Sequence, residues 1–116
     1  PLTPETYHLI NEETFSHMKK SSIFINVSRG DTVDEDALIR ALKSGAIAGA
    51  VLDVFREEPL PRHSPLWSMP NVLITPHNSG LTHDASEKTV AMFSENIRRF
   101  RNDIPLINVI ESGKMY

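Results

Sequence analysis

The sequence predicts an α/β fold on a parallel sheet, and three observations carry that expectation. Residues 22–27, 48–54 and 71–75 are short apolar runs of strand length. The second is nearly continuous rather than alternating, the pattern of a strand covered on both faces. A helical segment separates the first two runs, so it reads as a right-handed crossover between parallel strands. Each run also delivers an ionisable residue at or beyond its carboxyl end: Arg29, then Glu58 after Arg56-Glu57, then His77. In open α/β sheets the functional crevice lies outside those ends.

The elements follow in order. Thr3-Pro4-Glu5-Thr6 reads as a helix start, with Thr3 as cap and Pro4 at the first position. Asn11-Glu12-Glu13 opens a short helix with Phe15 and Met18 on its apolar side, broken by Lys19-Lys20-Ser21. Asp34-Glu35-Asp36 places negative charge at the next helix start, and Gly45 ends that helix after Leu38, Ala41 and Leu42. Residues 57–70 form a loop held extended by prolines 59, 61, 65 and 70. A long helix spans 82–104, starting near Thr82 or Asp84. Its core face is Val90, Phe93, Ile97 and Phe100, and Asn102-Asp103-Ile104-Pro105 ends it. Residues 105–116 form a tail.

Composition sets limits. The chain has 116 residues, 40% of them hydrophobic, enough for one small packed domain. Its net charge of −3 offers no basic field to nucleic acid. It has no cysteine, hence no disulfide framework or thiolate metal site. No apolar stretch approaches the ~20 residues of a membrane span, and no signal peptide pattern opens the chain. A soluble, cytoplasmic chain is expected. The start at Pro1-Leu2-Thr3-Pro4, without methionine, predicts a missing upstream region.

Three strands make a thin sheet. A dinucleotide-binding domain has two such halves, the first opening on Gly-x-Gly-x-x-Gly. Glycines 30, 45, 49, 80 and 113 do not fit that spacing.

The chemistry-bearing residues follow from the strand ends. Arg29 presents a planar fork of donors that matches a carboxylate, although a strand-end arginine is more often a solvated surface group. His77 is placed to carry a proton near neutral pH, its plainer role being that of a loop or capping histidine. A glutamate bonded to the imidazole would fix its tautomer and favour its charged form. Glu58, pushed toward extended backbone by Pro59, and Glu57 are both available, and spacing does not separate them. Asp53 sits within an apolar strand and needs a partner, either a cofactor amide or a backbone N–H of a neighbouring loop. His8, His17, His63 and His83 are scattered, which predicts no metal site. No Gly-x-Ser-x-Gly elbow occurs.

Together these strings resemble the D-isomer-specific 2-hydroxyacid dehydrogenase family. The matching stretches are Pro1 to Thr6, Met18 to Gly30 with its Asn-x-Ser-Arg-Gly core, and Gly49 to Phe55 with Glu58-Pro59-Leu60-Pro61. Asn71 to His77 completes them. Ser64-Pro65-Leu66-Trp67 is similar to the glyoxylate/hydroxypyruvate reductase branch. The resemblance implies the second half of a Rossmann-like parallel-sheet nucleotide-binding domain plus a long C-terminal helix, with residues 1–116 the C-terminal part of that domain.

It also implies roles. Arg29 would bind the substrate carboxylate and carbonyl, His77 would be the acid/base, and Glu58 rather than Glu57 would support it. Asp53 would meet the nicotinamide carboxamide, while Thr3, Val27, Ser28, Arg29, His77, Ser79 and Gly80 would line the cofactor. The implied activity is hydride transfer between NAD or NADP and a small 2-keto or 2-hydroxy acid, in a parent expected to be a homodimer. Thr32 departs from the family pattern, which is usually aliphatic there, and is expected to affect packing only. A non-catalytic binding or assembly module on the same fold is the alternative. An upstream sequence without a glycine-rich turn would favour it.

Overall fold

The computed structural model describes residues 1–110, so the expected tail is described only to Ile110. The chain divides into two units, one covering Pro1–Ser79 and the other beginning at Gly80.

The first unit is built on three parallel strands in the order β1, β2, β3: β1 (Ile23–Asn26), β2 (Gly49–Leu52) and β3 (Val72–Ile74). The strands are shorter than the apolar runs. Ile25 lies opposite Val51 and Val51 opposite Leu73; Asn26 lies opposite Leu52 and Leu52 opposite Ile74. The shared direction puts all three carboxyl ends on one edge. One face of the sheet packs against two helices, α1 (Glu12–Ser16) and α2 (Glu35–Ser44). Phe15, Leu38, Ala41 and Leu42 meet Ala50 and Leu52 there, and Phe15 packs edge-on against Phe24. The other face is more open than the apolar runs suggested. Ile23, Ile25 and Leu73 are 63%, 60% and 55% exposed, because alternate strand residues point away from the helical layer that the described residues of this unit form.

Local chemistry explains the element ends. Asn11 caps α1 by accepting from the Thr14 N–H, while the Thr14 hydroxyl accepts from the Asn11 N–H. Asp34 caps α2 through the Ala37 N–H, and Gly45, at φ 70°, ends it in the left-handed conformation. The expected helix at Thr3 is a single turn instead. The Thr3 carbonyl accepts from the Thr6 and Tyr7 N–H groups, and His8 then turns left-handed at φ 49° and bonds to Asp31. The 57–70 loop is not simply extended. Ser64 caps a 3-10 turn over Pro65–Ser68, which buries Leu66 beside Leu60.

In the second unit, α3 covers Ala85–Arg101, shorter than the expected 82–104. Thr82 bonds to Asp84 ahead of it, and Asp103, at φ 53°, follows its end. Val90, Phe93, Ile97 and Phe100 do share a face, but that face is exposed rather than core. Nothing among the described residues buries it, so periodicity identified the apolar stripe and not its partner.

Candidate active site

Glu58 and His77 meet at the carboxyl edge of the sheet. The His77 Nδ1 lies 2.6 Å from Glu58 Oε2. An ionised carboxylate only accepts, so Nδ1 carries the proton and Nε2 is left for chemistry. The other carboxylate oxygen, Oε1, accepts from the Phe55 N–H at 3.0 Å. That bond first, then His77, holds the Glu58 carboxyl below its ordinary value; burial opposes the shift and Arg29 adds to it. The side chains of His77 and Glu58 are 48% and 35% exposed, so a solute can reach them. Glu57 makes no such bond. Beside the pair lies a cavity of about 670 Å³ lined by Phe55, Leu60, Trp67, Ile74 and Pro76.

Arg29 follows the end of β1 on the same edge. Its backbone is extended and its guanidinium is exposed, with Nη1 donating to the Ser28 carbonyl at 2.7 Å. Four of its five N–H donors remain for a ligand. A glycine is required next to it: a Cβ at position 30 would stand 1.9 Å from the Phe55 carbonyl oxygen. This close approach lays the Arg29 turn against the loop that carries Glu58.

Asp53 is placed just beyond β2, not inside it, and is 1% exposed. Its Oδ1 accepts from the Thr75 hydroxyl and the Asn78 N–H, and its Oδ2 accepts from the Ser79 N–H. Burial disfavours the charge, but hydrogen bonds from Ser79, Thr75 and Asn78 outweigh it and keep the carboxyl far below the usual range. These bonds bracket His77, which sits at φ 52°, a conformation that a non-glycine residue keeps only when its surroundings impose it.

Of the other expected cofactor residues, Val27 and Ser28 are exposed in the Arg29 turn, and Ser79 is tied to Asp53. Thr3 bonds within its own turn, to Thr6, and Gly80 opens the second unit. Asn26 and Thr75 went unnoticed as polar groups of the site. Asn26, 5% exposed, accepts from the Ser28 N–H and hydroxyl and donates to the Arg29 carbonyl. Thr32 donates its hydroxyl to the same carbonyl, so it does more than pack. Phe55 contributes its backbone N–H to Glu58 as well as its side chain to the cavity wall. The signal for Asn26 and Thr75 is the one that marked Asp53: a polar residue closing an apolar strand.

Residues 1–79 match the D-isomer specific 2-hydroxyacid dehydrogenase family, NAD binding domain. Among curated relatives, a glyoxylate reductase of Korarchaeum cryptofilum is 47% identical over 106 residues, 90% of this chain and 32% of that protein. A glyoxylate/hydroxypyruvate reductase B of Cronobacter sakazakii is 52% identical over 97 residues, 84% of this chain and 30% of that protein. The chain thus spans about a third of the length of these relatives. A D-isomer specific 2-hydroxyacid dehydrogenase of Xanthobacter autotrophicus Py2, solved with NADPH and MES, superposes with a TM-score of 0.87 at 50% identity. The match covers 96% of this chain and 45% of that one. An NADPH-dependent glyoxylate/hydroxypyruvate reductase of Sinorhizobium meliloti, solved with NADP and sulfate, gives 0.86 at 34% identity, over 96% of this chain and 36% of that one. The parallel sheet, the order of its elements and these matches agree: the chain belongs to the D-isomer specific 2-hydroxyacid dehydrogenase family, and its residues 1–79 correspond to the NAD binding domain.

Proposed function

We propose that this chain supplies the acid/base half of an oxidoreductase that reduces a small 2-keto acid, such as glyoxylate or hydroxypyruvate, with NADH or NADPH. The observation that carries the reading is the Phe55–Glu58–His77 chain of hydrogen bonds on the same sheet edge as Arg29. Arg29 holds the substrate carboxylate with two parallel donors and polarises the adjacent carbonyl. His77 delivers the proton from Nε2 to the carbonyl oxygen as the alkoxide develops, while Glu58 keeps the ring oriented and stabilises the charge it bears.

A reduced nicotinamide would supply the hydride. The residues present suit it. Exposed Val27 and the 27–29 and 77–79 backbones offer a lining, and Asp53 is proposed to meet the carboxamide. Thr3, Ser28 and Ser79 complete that proposed lining. The relatives' printed activities and the NADPH and NADP in two neighbours support the same reading. A homodimer is proposed for the natural protein, supported by the exposed apolar stripe of α3, and a cytoplasmic setting by the cysteine-free composition.

The test follows NAD(P)H oxidation by the natural protein that carries this sequence. Glyoxylate or hydroxypyruvate should be turned over, and acetaldehyde, which lacks a carboxylate, should not. Arg29→Lys should lose most of the activity, since an ammonium does not reproduce the two-pronged contact. Equal turnover of acetaldehyde, or none with any 2-keto acid, contradicts the proposal.

A further inference from the structure

We propose that Asn26 and Thr32 are positioning residues for Arg29, acting on its backbone carbonyl. The inference rests on the substrate-binding role proposed for Arg29 and adds what makes that role possible. A loop arginine is a poor anchor unless its backbone is fixed, because misplacement at the site is multiplied along a long side chain. Here the Arg29 carbonyl receives three donors: Asn26 Nδ2 at 3.1 Å, Thr32 Oγ1 at 2.7 Å and the Thr32 N–H at 3.3 Å. The same Asn26 amide turns its oxygen to the Ser28 N–H at 3.1 Å and hydroxyl at 2.8 Å. One buried group therefore grips the residue before the arginine with its acceptor and the arginine itself with its donor. Ser28 Oγ and Thr32 Oγ1 lie 3.3 Å apart, each donating elsewhere within the turn.

The residue types matter. An aspartate at 26 would keep the acceptor and turn a negative oxygen toward the Arg29 carbonyl. A leucine would leave the Ser28 N–H without its partner. At 32 an aliphatic side chain would remove the shortest of the three bonds. The neighbouring strand repeats the device, since Asp53, one step beyond the partner of Asn26 in β2, holds the turn of His77. Two adjacent strand ends thus each place a buried polar group under a turn that carries a site residue.

The test is a double-mutant cycle in the natural protein, read as kcat/KM for glyoxylate. Thr32→Val should lower it about 5-fold, the weight of one hydrogen bond. Asn26→Asp should lower it about 10–100-fold, as loss of a supporting contact commonly does. NADPH affinity should fall by less than kcat/KM in both. In an Arg29→Ala background each substitution should cost less than about 2-fold, because a residue acting through Arg29 has nothing left to position. An undiminished cost in that background, or no cost in either single variant, overturns the proposal. If Asn26→Asp fails to fold, the half-buried Thr32→Val carries the test alone. Wild-type activity in Arg29→Ala itself overturns the substrate-binding reading and this inference with it. A cost for Arg29→Ala without one for Thr32→Val and Asn26→Asp overturns only the positioning role.

Discussion

His77 and Glu58 divide their work by atom. Glu58 bonds to Nδ1, so the proton that reaches substrate must leave from Nε2. Glu58→Gln reverses this logic, because an amide can donate where an acceptor is needed. We expect kcat to fall by about 10²-fold, within the range general acid–base catalysis supplies. The pair also carries a pH signature. The Glu58 carboxyl is held below its ordinary value of 4.5 by the Phe55 N–H and then by His77. A depressed folded pKa stabilises the fold above the unfolded value and loses that contribution as pH falls through the folded one. The stability gap between wild type and Glu58→Gln should therefore shrink as pH falls below about 4.5. Urea unfolding between about pH 5 and 3 checks it; a gap that grows on acidification within that window contradicts the assignment. Glu58 could be chosen over Glu57 only through the family resemblance. From residues alone the two were equivalent, because the bond to Phe55 is made by a backbone that leaves no mark in the sequence.

At the scale of elements, the site is assembled by two turns pressed together. Gly30 allows the contact, since a Cβ there would overlap the Phe55 carbonyl. Gly30→Ala must push the Arg29 turn away from the Glu58 loop, and a displacement of about 1 Å commonly costs ~10²-fold in rate. We expect that loss in kcat/KM with the folded unit retained, as checked by circular dichroism; unchanged kinetics would show that the contact is not functional. The strands, the α2 crossover and both its caps were legible because apolar runs, Asp34 and Gly45 are local signals. The first helix was not. Thr3 and Pro4 looked like a start, but left-handed His8 and its bond to Asp31, a tertiary contact, stopped it after one turn. Asp53 was legible as an anomaly, and a backbone N–H of a neighbouring loop was one of its two expected partners; which loop was not legible, since Thr75, Asn78 and Ser79 reach it from another strand end.

For the whole molecule, the sequence overstated burial. Both-face cover was expected of the second strand, and β2 is mostly buried; Ile23 and Ile25 of β1 and Leu73 of β3 are open, and so is the apolar stripe of α3, which was expected to face a core. Pattern reports which face wants cover and not what covers it. The 116 residues also contain no Gly-x-Gly-x-x-Gly turn to receive a pyrophosphate. We therefore expect the 116-residue chain alone to bind NADPH only weakly and to self-associate through its open faces and strand edges. Calorimetric titration and concentration-dependent light scattering check this; micromolar affinity in a clean monomer contradicts it. The central claim is that His77 is the proton donor of a 2-keto acid reduction, and it meets its most direct test in one measurement. That measurement is the single-turnover rate of glyoxylate reduction by the natural protein and its His77→Ala variant, both saturated with NADPH. The account predicts a fall of about 10²–10⁴-fold at saturating NADPH. A rate within a few-fold of wild type would contradict it.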